Sequence, residues 1–312
     1  MKLLASSCKS PFPLTLLFIL FSFISNAQPS FPTDPEQAEL YYSDIEHFVE
    51  AYQELENNSD TLAVLQTFYF DRATPGLKEF INRHQLTPQM LKEALTKYPD
   101  RYGLIPSMLS NIRETEARYK ELMKTYSTIL PNAMYAPTWL LVDANRGIGQ
   151  ASMVGQLITV ERVADNMEKL KKLTTHELTH FQQAMAMGGQ KYVSLYSSSE
   201  NMLGICLREG GAEFITWLVN DDITRTKSLT YIEENEEALK VRFKEDLQSQ
   251  NKKYWLWDSL DQKDNPGLLG YAIGYKICKA YYDKADDKTQ ALNDILMMEN
   301  AEEFLIKSTY FQ

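Results

Sequence analysis

Several residue types that often reveal a protein's class are scarce in this sequence. Its 312 residues include only three cysteines and four histidines, and the formal net charge is −10. So few cysteines do not form a disulfide framework, and an acidic chain without a basic stripe is not expected to bind nucleic acid or an anionic membrane. Cys206 and Cys278 lie in apolar helical segments, which favours buried free thiols over a disulfide bond.

The N-terminus has the pattern of a secretory signal peptide. Lys2 and Lys9 form a basic region, residues 11–24 are apolar, and small or polar residues lead to a cleavage point after Ala27. Removing residues 1–27 deletes these two lysines and takes the charge from −10 to −12. We therefore expect an extracytoplasmic protein of the periplasm, the cell envelope or the exterior, without a membrane span after cleavage. The alternative is a retained N-terminal anchor.

The mature chain changes character at Pro131. Residues 28–130 show helical spacing of apolar side chains, and the first helix is expected near residues 34–56. After Pro131 come two β-prone segments, residues 138–142 and 156–160, followed by more helices. These patterns predict an α+β protein that is predominantly α-helical. A helical N-terminal module over residues 28–130 would precede a second domain over residues 131–312 that contains a small β-sheet.

Residues 176–180 read His-Glu-Leu-Thr-His, which is the HExxH pattern of zinc hydrolases. On an α-helix, positions i and i+4 lie on the same face, so His176 and His180 can direct a ring nitrogen at one point. Zinc binds neutral imidazole in a near-tetrahedral site. Glu177 is rotated by about 100° from His176, so it would flank the metal and accept a proton from a water held there. The alternative is a solvated helix with two surface histidines.

A zinc site needs a third protein ligand, and a downstream helix offers one. Glu209 and Glu213 are four residues apart in a mostly apolar segment. We expect Glu209 to be the third ligand and Glu213 to accept a hydrogen bond from a ligand histidine. Gly210 and Gly211 are costly inside a helix, which indicates that another backbone approaches closely there. A solvated acidic face is the alternative.

A third segment contains two tyrosines on an apolar helix. Tyr271 and Tyr275 are each next to a glycine, Gly270 and Gly274. A phenol hydroxyl can donate a hydrogen bond to an oxyanion that develops during a reaction, and we favour Tyr271 over Tyr275 for this role. Ordinary core packing of both rings is the alternative.

Together these segments resemble the gluzincin branch of the zinc metallopeptidases. The pentapeptide at 176–180 has the form found in thermolysin-like enzymes, and Glu209 with Glu213 is similar to their Glu-x-x-x-Asp helix. Tyr271-x-x-Gly274 resembles a Tyr-x-x-Gly sequence of aminopeptidase-type gluzincins, whose tyrosine assists the transition state. The whole layout is most similar to uncharacterised secreted bacterial proteins described as zinc-dependent proteases.

The resemblance covers residues 138–280 and implies a zincin-like catalytic domain with one Zn²⁺ per chain. It also implies that residues 150–156 form an edge strand that pairs with the substrate backbone, through Ala151, Ser152, Met153 and Val154. In two respects the sequence departs from the family pattern. The spacing between His180 and Glu209 is longer than in well-known members, and the segment that marks aminopeptidases is missing before the metal helix.

The sequence therefore predicts a zinc metallopeptidase, a hydrolase that acts on a peptide or protein substrate. Two alternatives remain open at this stage. One is a zinc-bound or metal-free scaffold of the cell envelope that binds a partner through its N-terminal helices. The other is a zinc hydrolase of a non-peptide amide. The oligomeric state is open.

Overall fold

The computed structural model describes residues 31–114, 116–194, 201–256 and 265–312. The predicted signal peptide lies outside these residues. Helices predominate in the described part: α1 Ser43–Glu54, α2 Thr61–Leu65, α3 Pro75–His84, α4 Pro88–Lys97, α5 Pro99–Gly103, α6 Ile105–Glu114, α7 Glu116–Ile129, α8 Met167–Met187, α9 Gly189–Ser194, α10 Met202–Asn220, α11 Thr226–Glu234, α12 Glu236–Asp246, α13 Leu269–Lys284, α14 Lys288–Met297 and α15 Ala301–Ser308. A π-helical turn, Gln66–Phe70, extends α2, and a 3₁₀ turn, Pro35–Gln37, precedes the first strand.

A small mixed sheet lies between the N-terminal helices and α8. Its strands are β1 Leu40–Tyr41, β2 Thr138–Leu141, β3 Gly149–Ser152 and β4 Gly155–Thr159, in the order β1-β2-β4-β3. β1, β2 and β4 are parallel, whereas β3 pairs antiparallel with β4 and ends the sheet. The α+β, predominantly helical fold predicted from the sequence is confirmed.

The first helix is shorter than the sequence pattern predicts. A helix over residues 34–56 was expected, but α1 begins only at Ser43. Leu40 and Tyr41 instead pair with Thr138 and Trp139 of β2, and the Tyr41 ring stacks on Trp139 at a centroid distance of 4.3 Å. This distant pairing overrides the local helical preference, as tertiary context often does.

The buried apolar side chains form two clusters. The first, here called the sheet core, contains residues of α1–α6 and of the strands, such as Phe48, Tyr69 and Ile158. The second, the helix core, contains residues of α7, α10 and α13–α15, such as Phe214 and Ile273. Helix α8 contributes to both clusters, because Leu170 packs in the sheet core and Leu178 in the helix core.

Residues before Pro131 therefore contribute to both cores, since Tyr126 of α7 packs in the helix core. The division into domains at Pro131 stays a prediction. In the part of the chain that the structure describes, no helix combines the length and the apolar character needed to cross a bilayer.

Helices α10 and α13 touch through glycines. A Cβ atom on Gly210 would overlap the backbone of Gly274, and one on Gly274 would lie 2.7 Å from the carbonyl carbon of Cys206. Real Cβ atoms do not approach other atoms so closely, so both positions require glycine for this packing. The prediction that another backbone approaches Gly210 is confirmed. Cys206 and Cys278 are buried free thiols, as expected.

Candidate metal centre

The site is built on α8, which is well defined at both ends. The Asn166 side chain accepts a hydrogen bond from the Lys169 N–H at the N-terminus, and Gly188 ends the helix with a positive φ of 87°. His176, Glu177 and His180 lie on the buried side of this helix and are 3%, 5% and 6% exposed. The alternative of a solvated helix with surface histidines is therefore wrong.

The structure brings the two imidazoles and the carboxylate of Glu209 together. The Nε2 atoms of His176 and His180 lie 3.0 Å apart, and Glu209 Oε2 lies 3.5 Å from the first and 3.1 Å from the second. Three ligands of a tetrahedral zinc ion with bonds of about 2.0–2.1 Å stand about 3.4 Å apart. The triangle of donors therefore has the size that a zinc ion requires.

The charges of the donor set also suit a cation. Glu209 is 5% exposed, and a buried carboxylate needs a positive partner. Burial would raise the pKa of Glu209, but the neighbouring histidines outweigh burial and hold it far below its usual value. Burial would lower the pKa of His180, but Glu209 outweighs burial and raises it to about 9. Both shifts come from the attraction between the Glu209 carboxylate and the histidines, and the negative charge of Glu209 would also favour a metal ion.

Gln183 fixes the ring of His180. The Gln183 Nε2 atom donates to the carbonyl oxygen of Arg208 at 2.9 Å, so its Oε1 atom faces the imidazole. His180 Nδ1 lies 2.9 Å from that oxygen and must carry the proton that it accepts. The Nε2 atom of a neutral His180 ring is then left with a free lone pair, which is the form that binds zinc.

The corresponding group behind His176 is Glu213. Its Oε1 atom lies 3.4 Å from His176 Nδ1, but this nitrogen makes no hydrogen bond among the described residues, so the expected hydrogen bond to Glu213 is not seen. The Glu213 carboxylate is held in place by Thr224, whose backbone N–H donates to Oε2 at 2.7 Å and whose hydroxyl donates to Oε1. Glu213 is completely buried, so the alternative of a solvated acidic face on α10 is wrong.

The two tyrosines of α13 lie in different surroundings. The ring of Tyr271 stacks near His176, with a centroid distance of 6.0 Å and an interplanar angle of 15°. The Arg225 guanidinium lies 5.3 Å from the centroid of the same ring. Tyr275, in contrast, contacts the aromatic rings of Phe214 and Trp217 on α10. The structure thus brings Tyr271, and not Tyr275, to the histidines.

The Glu177 side chain extends from α8 toward the first residue of β3. A Cβ atom on Gly149 of β3 would lie 2.6 Å from Glu177 Cδ and closer still to Oε1, so the carboxylate touches the bare Cα of this glycine. Burial raises the pKa of Glu177, while the neighbouring histidines and Arg225 act in the opposite direction. A raised pKa brings a carboxylate closer to the range in which it can exchange protons near neutrality.

The residues expected to bind the substrate backbone lie on β3 and on the turn that follows it. Ala151 and Ser152 belong to β3, whereas Met153 and Val154 form the turn to β4. In the described part of the chain, no strand pairs with the outer side of β3. The side chain of Ala151 packs toward the helix core, while Gln150 points to the other face and lies 2.6 Å from His84 Nε2.

A family model matches residues 108–305, and its description is Predicted Zn-dependent protease (DUF2268). The chain belongs to this family. The buried cluster of His176, His180 and Glu209 agrees with the zinc dependence in that description. The DUF2268 match begins at residue 108, within the segment predicted as a helical module. No curated protein and no solved structure was found to match the chain.

Four residues beside the site were not anticipated from the sequence. Gln183 is three positions after His180 on the same helix, so helical spacing could have identified it. Thr224, Arg225 and Gly149 reach the site only through the fold, and their spacing in the sequence carries no signal for it.

Proposed function

We propose that this member of DUF2268 is a gluzincin-like, zinc-dependent peptidase that hydrolyses peptide bonds outside the cytoplasm. The observation that carries the proposal is the convergence of His176, His180 and Glu209 at one buried point, with the Glu177 carboxylate on the same helix. A zinc ion bound at that point would lower the pKa of a water molecule and polarise the scissile carbonyl group.

Glu177 acts as the general base in this proposal. It is a buried carboxylate whose pKa is raised by burial, and it follows a metal-binding histidine directly. It would take a proton from the attacking water and pass it to the leaving amine. The neighbouring histidines oppose the effect of burial on the pKa of this carboxylate.

Tyr271 would donate a hydrogen bond to the oxyanion of the tetrahedral intermediate. Its place beside His176 supports this role. Arg225 lies 5.3 Å from the centroid of the Tyr271 ring and adds positive charge beside this tyrosine.

The outer edge of β3 is the proposed binding place of the substrate backbone. Thr159 N donates to Ile148 O at 3.0 Å, which makes these two residues a hydrogen-bonded pair of the antiparallel ladder. Such pairs alternate along a ladder, so Gly149 and Ala151 direct their N–H and C=O groups away from β4. An extended peptide could pair with these groups by strand addition.

The location outside the cytoplasm rests on the predicted signal peptide over residues 1–27. The acidic mature chain favours a protein or peptide substrate over nucleic acid.

The proposal is tested by the cleavage of a diverse peptide library by the purified mature protein, with and without a chelator. We expect cleavage that stops on chelation and returns when zinc is added, together with zinc in the purified protein by metal analysis. A protein that binds zinc but cuts no peptide would contradict the proposal and favour a scaffold or a non-peptide hydrolase. A protein that binds no metal would favour the metal-free scaffold.

A further inference from the structure

The Glu177 carboxylate reaches its place only because residue 149 has no side chain. A Cβ atom there would lie 2.6 Å from Glu177 Cδ and 3.0 Å from Cγ. A separation of 2.6 Å does not occur between non-bonded carbon atoms, so a larger residue forces either β3 or the glutamate to move. Gly149 has no positive φ in the structure, so its backbone conformation does not explain the glycine.

The strand is the less mobile partner, because it is tied on its other sides. Ile148 N donates to Thr159 Oγ1 at 2.9 Å, and Thr159 N donates to Ile148 O at 3.0 Å. The Gln150 side chain lies 2.6 Å from His84 Nε2 on the opposite face of the sheet. These contacts flank Gly149 on both sides in the sequence.

The loop before β3 is held as well. Arg146 forms an ion pair with the buried Asp143 at 2.6 Å and donates to the His84 carbonyl oxygen at 2.9 Å. His84 therefore binds both this loop and the strand, which joins them to α3. The end of a glutamate side chain has rotatable bonds and can move at lower cost than this network.

We propose that Gly149 is a positioning residue for the general base: its missing side chain sets where the Glu177 carboxylate lies. This inference rests on the proposed function only in the role given to Glu177. A methyl group at position 149 would push the carboxylate aside and leave the metal ligands in place. The catalytic rate would then fall, since a displacement of about 1 Å can cost on the order of 100-fold.

A crystal structure of Gly149→Ala tests the placement without any activity. We expect the Glu177 carboxylate to be displaced by about 1 Å or more, with β3 and the three metal ligands where they are in the wild-type structure. An unmoved Glu177 beside a shifted β3 would overturn the inference.

Kinetics of the same variant test the consequence. Gly149→Ala should lower kcat on the order of 100-fold, with KM and zinc content within a few-fold of the wild-type values. Glu177→Asp, which withdraws the carboxylate by one methylene, should cost much less in the Gly149→Ala background than in the wild type. Independent, multiplicative losses in this double-mutant cycle would overturn the inference.

Gly103→Ala is the matched control, because its Cβ atom would lie 3.6 Å from Tyr52 Oη, an ordinary contact. This variant should retain the wild-type kcat. If Glu177→Gln cuts at the wild-type rate with zinc bound, the proposed function fails, and the crystal structure alone decides the placement. If Glu177→Gln is inactive but Gly149→Ala is fully active, the function stands and the positioning role is wrong.

Discussion

Two pairs of buried carboxyl groups have different neighbours. Glu209 and Glu213 lie on α10 beside imidazole rings, whereas Asp143 and Glu161, which follow β2 and β4, lie beside each other. Glu209 and Glu213 are 5% and 0% exposed, and each lies within 3.5 Å of an imidazole nitrogen. Asp143 and Glu161 are 0% and 1% exposed and lie beside each other, with Asp143 N donating to Glu161 Oε2 at 3.2 Å.

The pKa values diverge accordingly. The neighbouring histidines hold the pKa of Glu209 far below its usual value against the effect of burial. Burial, together with the charge of Asp143, raises the pKa of Glu161 to about 7. Arg146 forms an ion pair with Asp143 at 2.6 Å, and among the residues that the structure describes no cation forms an ion pair with Glu161. Burial alone therefore does not mark a functional carboxylate, and neither does an ion pair, since Asp143 pairs with Arg146. Glu209 is distinguished by the two imidazole nitrogens beside its oxygen, which can bind a metal together with it.

Loss of the α10 carboxylate should have the largest effect. Glu209→Gln replaces an anionic oxygen by a neutral amide, and we expect zinc affinity to fall by more than about 100-fold. Replacing a residue that only hydrogen-bonds to a metal ligand typically lowers the affinity by about 10–100-fold. Competition with a chromophoric chelator measures this affinity. Asp143→Asn is the matched variant from the other pair and should leave it unchanged. Equal losses in both variants would remove the distinction between the two pairs.

The close approach of α10 and α13 should be the next most sensitive feature. Gly210→Ala places a methyl group on the backbone of Gly274 and should lower the free energy of unfolding by about 3 kcal/mol. Urea unfolding measures this loss. Gly211→Ala is the control, because its Cβ atom would meet a side-chain atom of Ile295 at 3.0 Å, which can yield. A larger loss for Gly211→Ala would contradict the backbone contact.

The raised pKa of Glu161 should make the free energy of unfolding depend on pH. The pKa of Glu161 is about 7 in the folded protein and 4.5 in its usual state. Between these two pH values, the folded protein keeps a proton that the unfolded chain releases. The free energy of unfolding should therefore fall as the pH rises from 4.5 to 7. Asp143, Tyr69 and Tyr102 are ionisable groups close to Glu161, and Arg146 pairs with Asp143.

Glu161→Gln should remove the part of that pH dependence that comes from Glu161, while the part that comes from Asp44, whose pKa burial raises to about 6, remains. We expect the substitution to stabilise the protein by about 3 kcal/mol at pH 8 and by little below pH 4.5, as measured by urea unfolding at both pH values. A stabilisation that is the same at the two pH values would show that Glu161 keeps an ordinary pKa.

The smallest effect is expected for a residue that contacts a proposed metal ligand. Gln183→Ala removes the oxygen that fixes the His180 ring and should weaken zinc binding by about 10-fold. Gln182→Ala is the control, since that amide hydrogen-bonds to the main chain of Met134, at 2.7 and 2.9 Å. If the two variants bind zinc equally well, Gln183 has no part in orienting His180.

The sequence predicted those parts of the site that lie one helical turn apart. The spacing of His176 and His180, and of Glu209 and Glu213, gives one shared face on each helix. Apolar neighbours indicated that α10 is buried, and Gly210 indicated the close approach of another backbone. The choice between Tyr271 and Tyr275 was harder, because the two residues are four positions apart on the same apolar helix. Only the fold shows that the ring of Tyr271 lies beside His176.

The contacts that the sequence did not predict join distant segments. β1 is only two residues long and pairs with a strand almost a hundred positions away, so its local pattern resembled a helix start. Gly149 on β3 contacts Glu177 on α8, and Thr224 in a loop hydrogen-bonds to Glu213. Their residue types are common in loops and turns, and only the packing of α8 and α10 against the sheet gives them a role.

The most direct test of the central claim is the rate of peptide hydrolysis by Glu177→Gln, with the zinc content measured in the same sample. A glutamine of the same shape cannot accept the proton, so the rate should fall by about 1,000-fold while zinc stays bound. Hydrolysis at the wild-type rate with zinc bound would show that Glu177 is not the base and that the proposed mechanism is wrong.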